Sequence, residues 1–170
     1  AVPPTMPASD MTLTAKWKPN TNTPYVVKHY RQALNGTYPS SLMEVENLTG
    51  TTAASVAPAV ETYSGFTSPA TKTVTIAANG STEVAYYYTR NQYTLTWVTD
   101  GNALTGSYTK GSILFETAIN QPNEPTKTGY TFGGYYTGTN GSGTQYYKAD
   151  GTSARTWDKT SATTLYAKWT

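Results

Sequence analysis

Five Asn-Gly or Asp-Gly dipeptides punctuate this chain, at Asn35-Gly36, Asn79-Gly80, Asp100-Gly101, Asn140-Gly141 and Asp150-Gly151. Glycine reaches positive φ without steric cost, and these dipeptides are the preferred corners between antiparallel strands. The runs beside them alternate apolar with polar residues. Tyr25-Val26-Val27-Lys28-His29-Tyr30 precedes the first dipeptide, Thr73-Val74-Thr75-Ile76 precedes the second and Glu83-Val84-Ala85-Tyr86-Tyr87-Tyr88 follows it. Tyr93-Thr94-Leu95-Thr96-Trp97 leads into the third, and Tyr130 to Tyr136 comes before the fourth. Period-two alternation in residues rich in Thr and Tyr specifies half-buried strands. The 34 threonines among 170 residues agree, and a helical bundle or coiled coil is excluded.

A repeat within the chain marks its organisation. Residues 9–17, Ser-Asp-Met-Thr-Leu-Thr-Ala-Lys-Trp, match residues 161–169, Ser-Ala-Thr-Thr-Leu-Tyr-Ala-Lys-Trp, at six of nine positions. In both copies Leu, Ala and Trp fall on one face, as in a strand that closes a sheet. Residues 1–18 are therefore expected to be the C-terminal strand of a truncated preceding repeat, and the chain an excised piece of a longer protein. Residues 19–24 form a polar, proline-containing linker, and residues 25–91 and 92–170 form two modules. The orphaned strip of Leu13, Ala15 and Trp17 is expected to seek a free sheet edge. Only Thr89 to Gln92 separates the last strand of one module from the first of the next, so the two are expected to be nearly rigidly joined.

Short helices are expected around residues 52–61, where Ala53, Ala54, Val56, Ala57 and Val60 approach a 3.6-residue spacing, and around residues 114–120. Pro58 and Pro122 limit both. Two strands, a short helix and further strands make an α+β, mostly β pattern with a β-grasp outline. Trp97 and Trp169 are expected in the second core, and Phe66, Tyr86 and Tyr88 in the first.

The residues also carry a resemblance. Tyr93 to Trp97, then Pro125-Thr126-Lys127-Thr128-Gly129-Tyr130-Thr131-Phe132-Gly133-Gly134-Tyr135-Tyr136, then Thr164 to Trp169 resemble an internalin B-type B-repeat, the Listeria–Bacteroides repeat, over residues 93–169. Tyr135 stands where that family usually has Trp. Residues 24–91, with Tyr25 to Tyr30, Glu46 to Thr52, Tyr63-Ser64-Gly65-Phe66 and Tyr86 to Asn91, resemble mucin-binding-protein-like modules. The resemblance implies two tandem ubiquitin-like β-grasp modules and an extracellular place on a bacterial surface, cell-wall-attached or secreted. It implies a stalk or spacer with an adhesion role, a weakly bound host surface protein or glycan as partner, neighbouring repeats of the same chain, and no enzymatic activity. The alternative is a glycan-binding module for mucin-type sugars. The absence of cysteine suits such a thiol-free surface chain.

A search for chemistry points the same way. Net charge is +2, with 12 basic and 10 acidic residues and no run of one sign, which leaves no footprint for nucleic acid or an anionic membrane. No apolar stretch approaches the ~20 residues of a membrane span. His29, the single histidine, lies on the Tyr25 and Val27 face of its strand, where a structural role is expected. The Gly138 to Gly143 stretch lacks the lysine and following helix of a phosphate loop. Glu44 and Glu46 share one strand face as a solvated edge, and Asp150 and Asp158 are too few for a calcium site. No catalytic, cofactor or metal residue is expected. Four Asn-x-Ser/Thr triplets, at Asn35, Asn47, Asn79 and Asn140, are expected to serve as turn chemistry. Exposed tyrosines remain as ligand candidates, because a ring can stack on a sugar face while its hydroxyl hydrogen-bonds. Alternation selects Tyr87 and Tyr135 as outward-facing, against an inward set of Tyr86, Tyr88, Phe132 and Tyr136, with Tyr30, Tyr147 and Tyr166 as further outward candidates.

Overall fold

The computed structural model describes residues 10–99, 110–120 and 125–170. Strands β1 (Thr23–Arg31), β2 (Met43–Gly50), β4 (Phe66–Thr67) and β6 (Glu83–Arg90) form a sheet in the order β2-β1-β6-β4, while β3 (Ser55–Val56) and β5 (Val74–Thr75) make a separate ribbon. Strands β7 (Gln92–Val98), β8 (Lys110–Leu114), β9 (Phe132–Tyr136), β10 (Gln145–Tyr147) and β11 (Thr163–Trp169) form a second sheet, ordered β10-β9-β11-β7-β8. In each sheet the first and last strands lie side by side and parallel. Val26 to Arg31 of β1 run beside Glu83 to Tyr88 of β6, and Thr163 to Tyr166 of β11 beside Leu95 to Val98 of β7. Their other neighbours are antiparallel.

The mostly β expectation holds; the helices do not form. Among the described residues there is no α-helix, only single 3-10 turns at Ser40–Leu42 and Thr139–Gly141. Within residues 52–61 the backbone turns at Ala53 (φ 62), exchanges hydrogen bonds with Ile76, and then runs as β3 along β5. Starting a helix fixes several dihedrals for one hydrogen bond, and a segment with Pro58 near its middle never recovers that cost. The tyrosines of β6 provide the alternative. The Tyr86 hydroxyl donates to the Pro58 carbonyl at 2.8 Å and accepts the Lys72 N–H at 3.1 Å, while the Tyr88 hydroxyl accepts the Glu61 N–H at 2.8 Å. Backbone groups that a helix would satisfy internally are satisfied here by the sheet beneath. Residues 114–120 stay extended too, with a bridge from Ala118 to Thr156 and a turn at Glu116 (φ 62).

Two separate cores follow. Tyr25, Val27, Ile76, Val84, Tyr86 and Tyr88 pack in the first, and Phe66 lies against them. The second contains Leu95, Trp97, Ile119, Tyr135, Trp157 and Leu165, among others, with Trp169 packed at its side. Trp157, fully buried, lies in no alternating run and was not anticipated. His29 is 1% exposed in the first sheet. Its Nδ1 lies 2.7 Å from the Tyr88 hydroxyl. That oxygen also accepts the Glu61 N–H, and the imidazole Nε2 faces the Glu46 carboxylate at 3.8 Å. Burial pushes the Tyr88 hydroxyl pKa up, in keeping with a retained proton. Tyr88→Phe should therefore lower first-module stability by about 1–3 kcal/mol, because the buried imidazole and the part-buried Glu61 N–H lose their partner. An unchanged thermal midpoint would show that this hydroxyl does not hold the loop.

Three of the glycine turns share one device. Gly36, Gly80 and Gly151 have φ of 83, 72 and 82, and the preceding Asn35, Asn79 or Asp150 side-chain oxygen accepts both the N–H and the hydroxyl of the residue after the glycine. These bonds draw the Asp150 carboxyl below its usual range. Asn140-Gly141 differs: both residues are at positive φ, and they turn the β9–β10 hairpin. Asp100-Gly101 and Ser9 lie outside the described residues.

The tail with the strand-like pattern is not paired in this chain. Residues 10–22 contain no strand and are exposed throughout, with Leu13 65% and Trp17 88% accessible. A strand exists only beside a hydrogen-bonded neighbour, and among the described residues, 10–19 pair with no strand, while the Asn20 carbonyl accepts the Thr52 N–H at 2.8 Å just before β1. Strand β1 begins at Thr23, inside the segment expected to be linker; Thr23 is buried and its hydroxyl bonds that of Thr52 at 2.6 Å.

Candidate functional site

Alternation in β6 sends Val84, Tyr86, Tyr88 and Arg90 inward and leaves Tyr87 on the outer face, 46% exposed. Its register partner across the parallel pair is Tyr30. The two rings stack with centroids 5.2 Å apart and planes 16° apart, and Tyr38 meets Tyr87 edge-on at 5.1 Å. Tyr38 comes from the connection between β1 and β2, outside any alternating run, and nothing in the pattern of residues marks it. Around the rings, Lys28 pairs with Glu83 at 2.6 Å, a contact that raises the lysine pKa, and Lys72 sits 5.8 Å from the Tyr87 centroid. The result is a small aromatic face with cationic and anionic groups beside it, suited to the apolar face of a sugar or to a protein side chain.

Tyr135 does not join it. It is fully buried, 4.6 Å from Trp97 and 5.2 Å from Phe132 between ring centroids. The cause is a break in phase. Gly134 takes φ 104, and the register shifts on both sides of β9, between Ala167 and Trp169 and between Gln145 and Tyr147. An extra residue in a strand inverts the faces of those beyond it, so Phe132 and Tyr135 point to the same side. Tyr136, expected inward, is only half-buried, and Tyr147, expected outward, is 1% exposed. Tyr166 is half-buried on β11.

A second constellation lies between the modules. Asn91 alone separates β6 from β7. Its N–H donates to the Gly65 carbonyl at 2.9 Å, its carbonyl accepts the Phe115 N–H at 3.0 Å, and its side chain accepts the Thr67 hydroxyl at 2.6 Å. Arg90, 7% exposed, donates from Nε to the Gln32 carbonyl and from one terminal nitrogen to the Phe115 carbonyl at 2.8 Å and the Glu116 carboxylate at 2.6 Å. Its guanidinium carbon lies 4.7 Å from the Phe66 centroid, and Phe66 meets Phe115 edge-on. The first module's Gln32, Gly65 and Phe66 are thus tied to the second module's Phe115 and Glu116. Period-two reading of Val84, Tyr86 and Tyr88 reaches Arg90, so its inward position was legible; its partners were not.

Comparison with known proteins bears on the second module. Residues 93–168 match the family model of the Listeria-Bacteroides repeat domain, a match running from β7 into β11. The match makes this part of the chain similar to that repeat and suggests a repeat region of a bacterial surface protein. No curated protein matches the chain.

Proposed function

We propose that this chain is a non-catalytic repeat region of a bacterial cell-surface or secreted protein, working outside the cell as a stiff spacer that presents an adhesion face. The single observation behind the spacer reading is the one-residue junction at Asn91, with Arg90 buried and bonded into both modules. A joint made of backbone hydrogen bonds, aromatic contact and a buried guanidinium holds one angle, whereas a Gly- or Ser-rich linker would sample many. In this reading the first module is a mucin-binding-protein-like relative. Both modules are β-grasp variants in which bonded loops replace the helix, and the partner is a host surface protein or glycan bound weakly. Solution scattering of the full chain should fit one elongated arrangement of the two modules; a flexible ensemble would refute the spacer reading.

The aromatic face of Tyr30, Tyr38 and Tyr87 favours a second reading, a glycan-binding module. We expect no retention on mucin glycans at micromolar protein, because one face of the Tyr87 ring is already covered by Tyr30. Tyr87→Ala should cost roughly 0.5–1.5 kcal/mol in thermal denaturation through the lost ring pairs. Saturable glycan binding by the unaltered chain that disappears in Tyr87→Ala would put the glycan reading first.

A further inference from the structure

The exposed segment at residues 10–17 and the buried strand β11 are nearly the same peptide in two environments. Aligned copy to copy, Leu13 stands for Leu165, Ala15 for Ala167, Trp17 for Trp169, Thr12 for Thr164 and Lys16 for Lys168. In β11, Leu165 and Ala167 are buried in the second core and Trp169 packs against Phe132. Every side chain that β11 commits to that core is therefore present in the tail. The lysine shared by the two copies has a packing reason as well. The Lys168 stem lies over Gly133 and Gly141, where a Cβ would come within 3.1 and 2.6 Å of it. The differences fall elsewhere: Asp10 for Ala162 precedes the strand, and Met11 for Thr163 and Thr14 for Tyr166 occupy half-buried positions.

We propose that residues 10–17 are an interchangeable copy of β11, and that they fit the slot between β7 and β9 in a second copy of this chain. Taken over from β11, the register sets Met11 against Leu95, Leu13 against Trp97 and Thr14 against Val98 on the parallel side. On the antiparallel side it sets Thr14 against Tyr136, Ala15 against Tyr135 and Trp17 against Phe132. No proline interrupts residues 10–17, so every backbone N–H is available to the ladder. Leu13 and Trp17, now 65% and 88% exposed, would exchange water for the core that holds their counterparts. Donor segment and acceptor slot are different surfaces of the chain, so two copies that exchange tails reciprocally close as a pair, and one-way exchange links further copies. The resident β11 competes from within the same chain at an effective concentration of roughly millimolar. Exchange is accordingly a minor state at micromolar protein, and it grows when β11 is displaced.

Because the chain has no cysteine, disulfide trapping reads this contact directly. Tyr136 and Tyr166 face each other across β9 and β11, so a Tyr136→Cys, Tyr166→Cys chain should close an intramolecular disulfide and calibrate the slot. A full chain with Thr14→Cys is then mixed with a full chain carrying Tyr136→Cys and Leu165→Asp, the latter change placing a carboxylate where β11 must be buried. We expect the mixed disulfide in at least about tenfold excess over that formed with a Lys28→Cys, Leu165→Asp acceptor, and its loss when the donor also carries Leu13→Asp. Yields equal to the Lys28→Cys control, or unaffected by Leu13→Asp, would overturn the proposal. To guard against an acceptor that fails to fold, the same donor is mixed at high concentration with a Tyr136→Cys chain whose β11 is intact. Slow, Leu13-dependent accumulation is then expected, and background cross-linking alone would again overturn it.

Discussion

Trp157→Ala is expected to destabilise the second module by about 3–5 kcal/mol while leaving the first folded. The indole is fully buried, its ring centre 5.2 Å from that of Tyr146. The backbone of Trp157 also ties its segment to the turn that follows β8: its carbonyl accepts the Glu116 N–H at 2.7 Å and its N–H donates to the Thr117 carbonyl at 2.8 Å. A cavity at this side chain loosens the Tyr146 side as well, where burial and the Asp158 carboxylate hold the phenol pKa well above its usual value. The four tryptophans are Trp17, Trp97, Trp157 and Trp169, none within residues 23–91, so indole fluorescence reports the second module and the tail, and a calorimetric transition without an indole change reports the first. A loss under about 1 kcal/mol, or simultaneous loss of both modules' signals, would contradict the two-core account.

At the junction, Arg90→Ala should cost roughly 2–3 kcal/mol and release the angle between the modules. The guanidinium is a charged donor to the Gln32 and Phe115 carbonyls, which sets a loss of about 2–3 kcal/mol; the exposed Glu116 carboxylate is left to solvent and adds little. Gly65→Ala attacks the same joint without touching a charge. Gly65 has φ 79, and a Cβ there would come within 2.2 Å of the Phe115 ring, so ring or backbone must move. Both variants should keep the tyrosine core of the first module and the indole core of the second, yet broaden the module arrangement seen by scattering. An unchanged scattering profile in both would mean that Asn91 alone is enough to fix the angle.

Where strands keep strict alternation, the chain disclosed its interior in advance. Tyr25, Val27 and His29 in β1, and Val84, Tyr86 and Tyr88 in β6, all face inward as period two requires. The reading failed where one residue breaks phase. Gly133-Gly134 reads as part of a continuous strand, but the shift there buries Tyr135, one of the two nominated ligand residues. It failed again where long-range partners replace local ones. Residues 52–61 carry helix-like spacing, yet the hydroxyls of Tyr86 and Tyr88, more than two dozen residues away in the chain, bind the backbone of that stretch first. Tyr87 was legible because its neighbours alternate, and Tyr38 was not because a connecting loop brings it to the site.

The side-by-side parallel placement of β1 with β6, and of β7 with β11, decides how such a chain bears load. Tension along the polypeptide enters the first module at the start of β1 and leaves at the end of β6, at opposite ends of two adjacent strands. Pulling therefore shears the ladder from Val26–Glu83 to Arg31–Tyr88 and stresses its hydrogen bonds together, where pulling both strands from one end would unzip them singly. The pairs from Thr163–Leu95 to Tyr166–Val98 repeat the arrangement in the second module. With one residue between β6 and β7, force passes from one clamp into the next with almost no slack to take up.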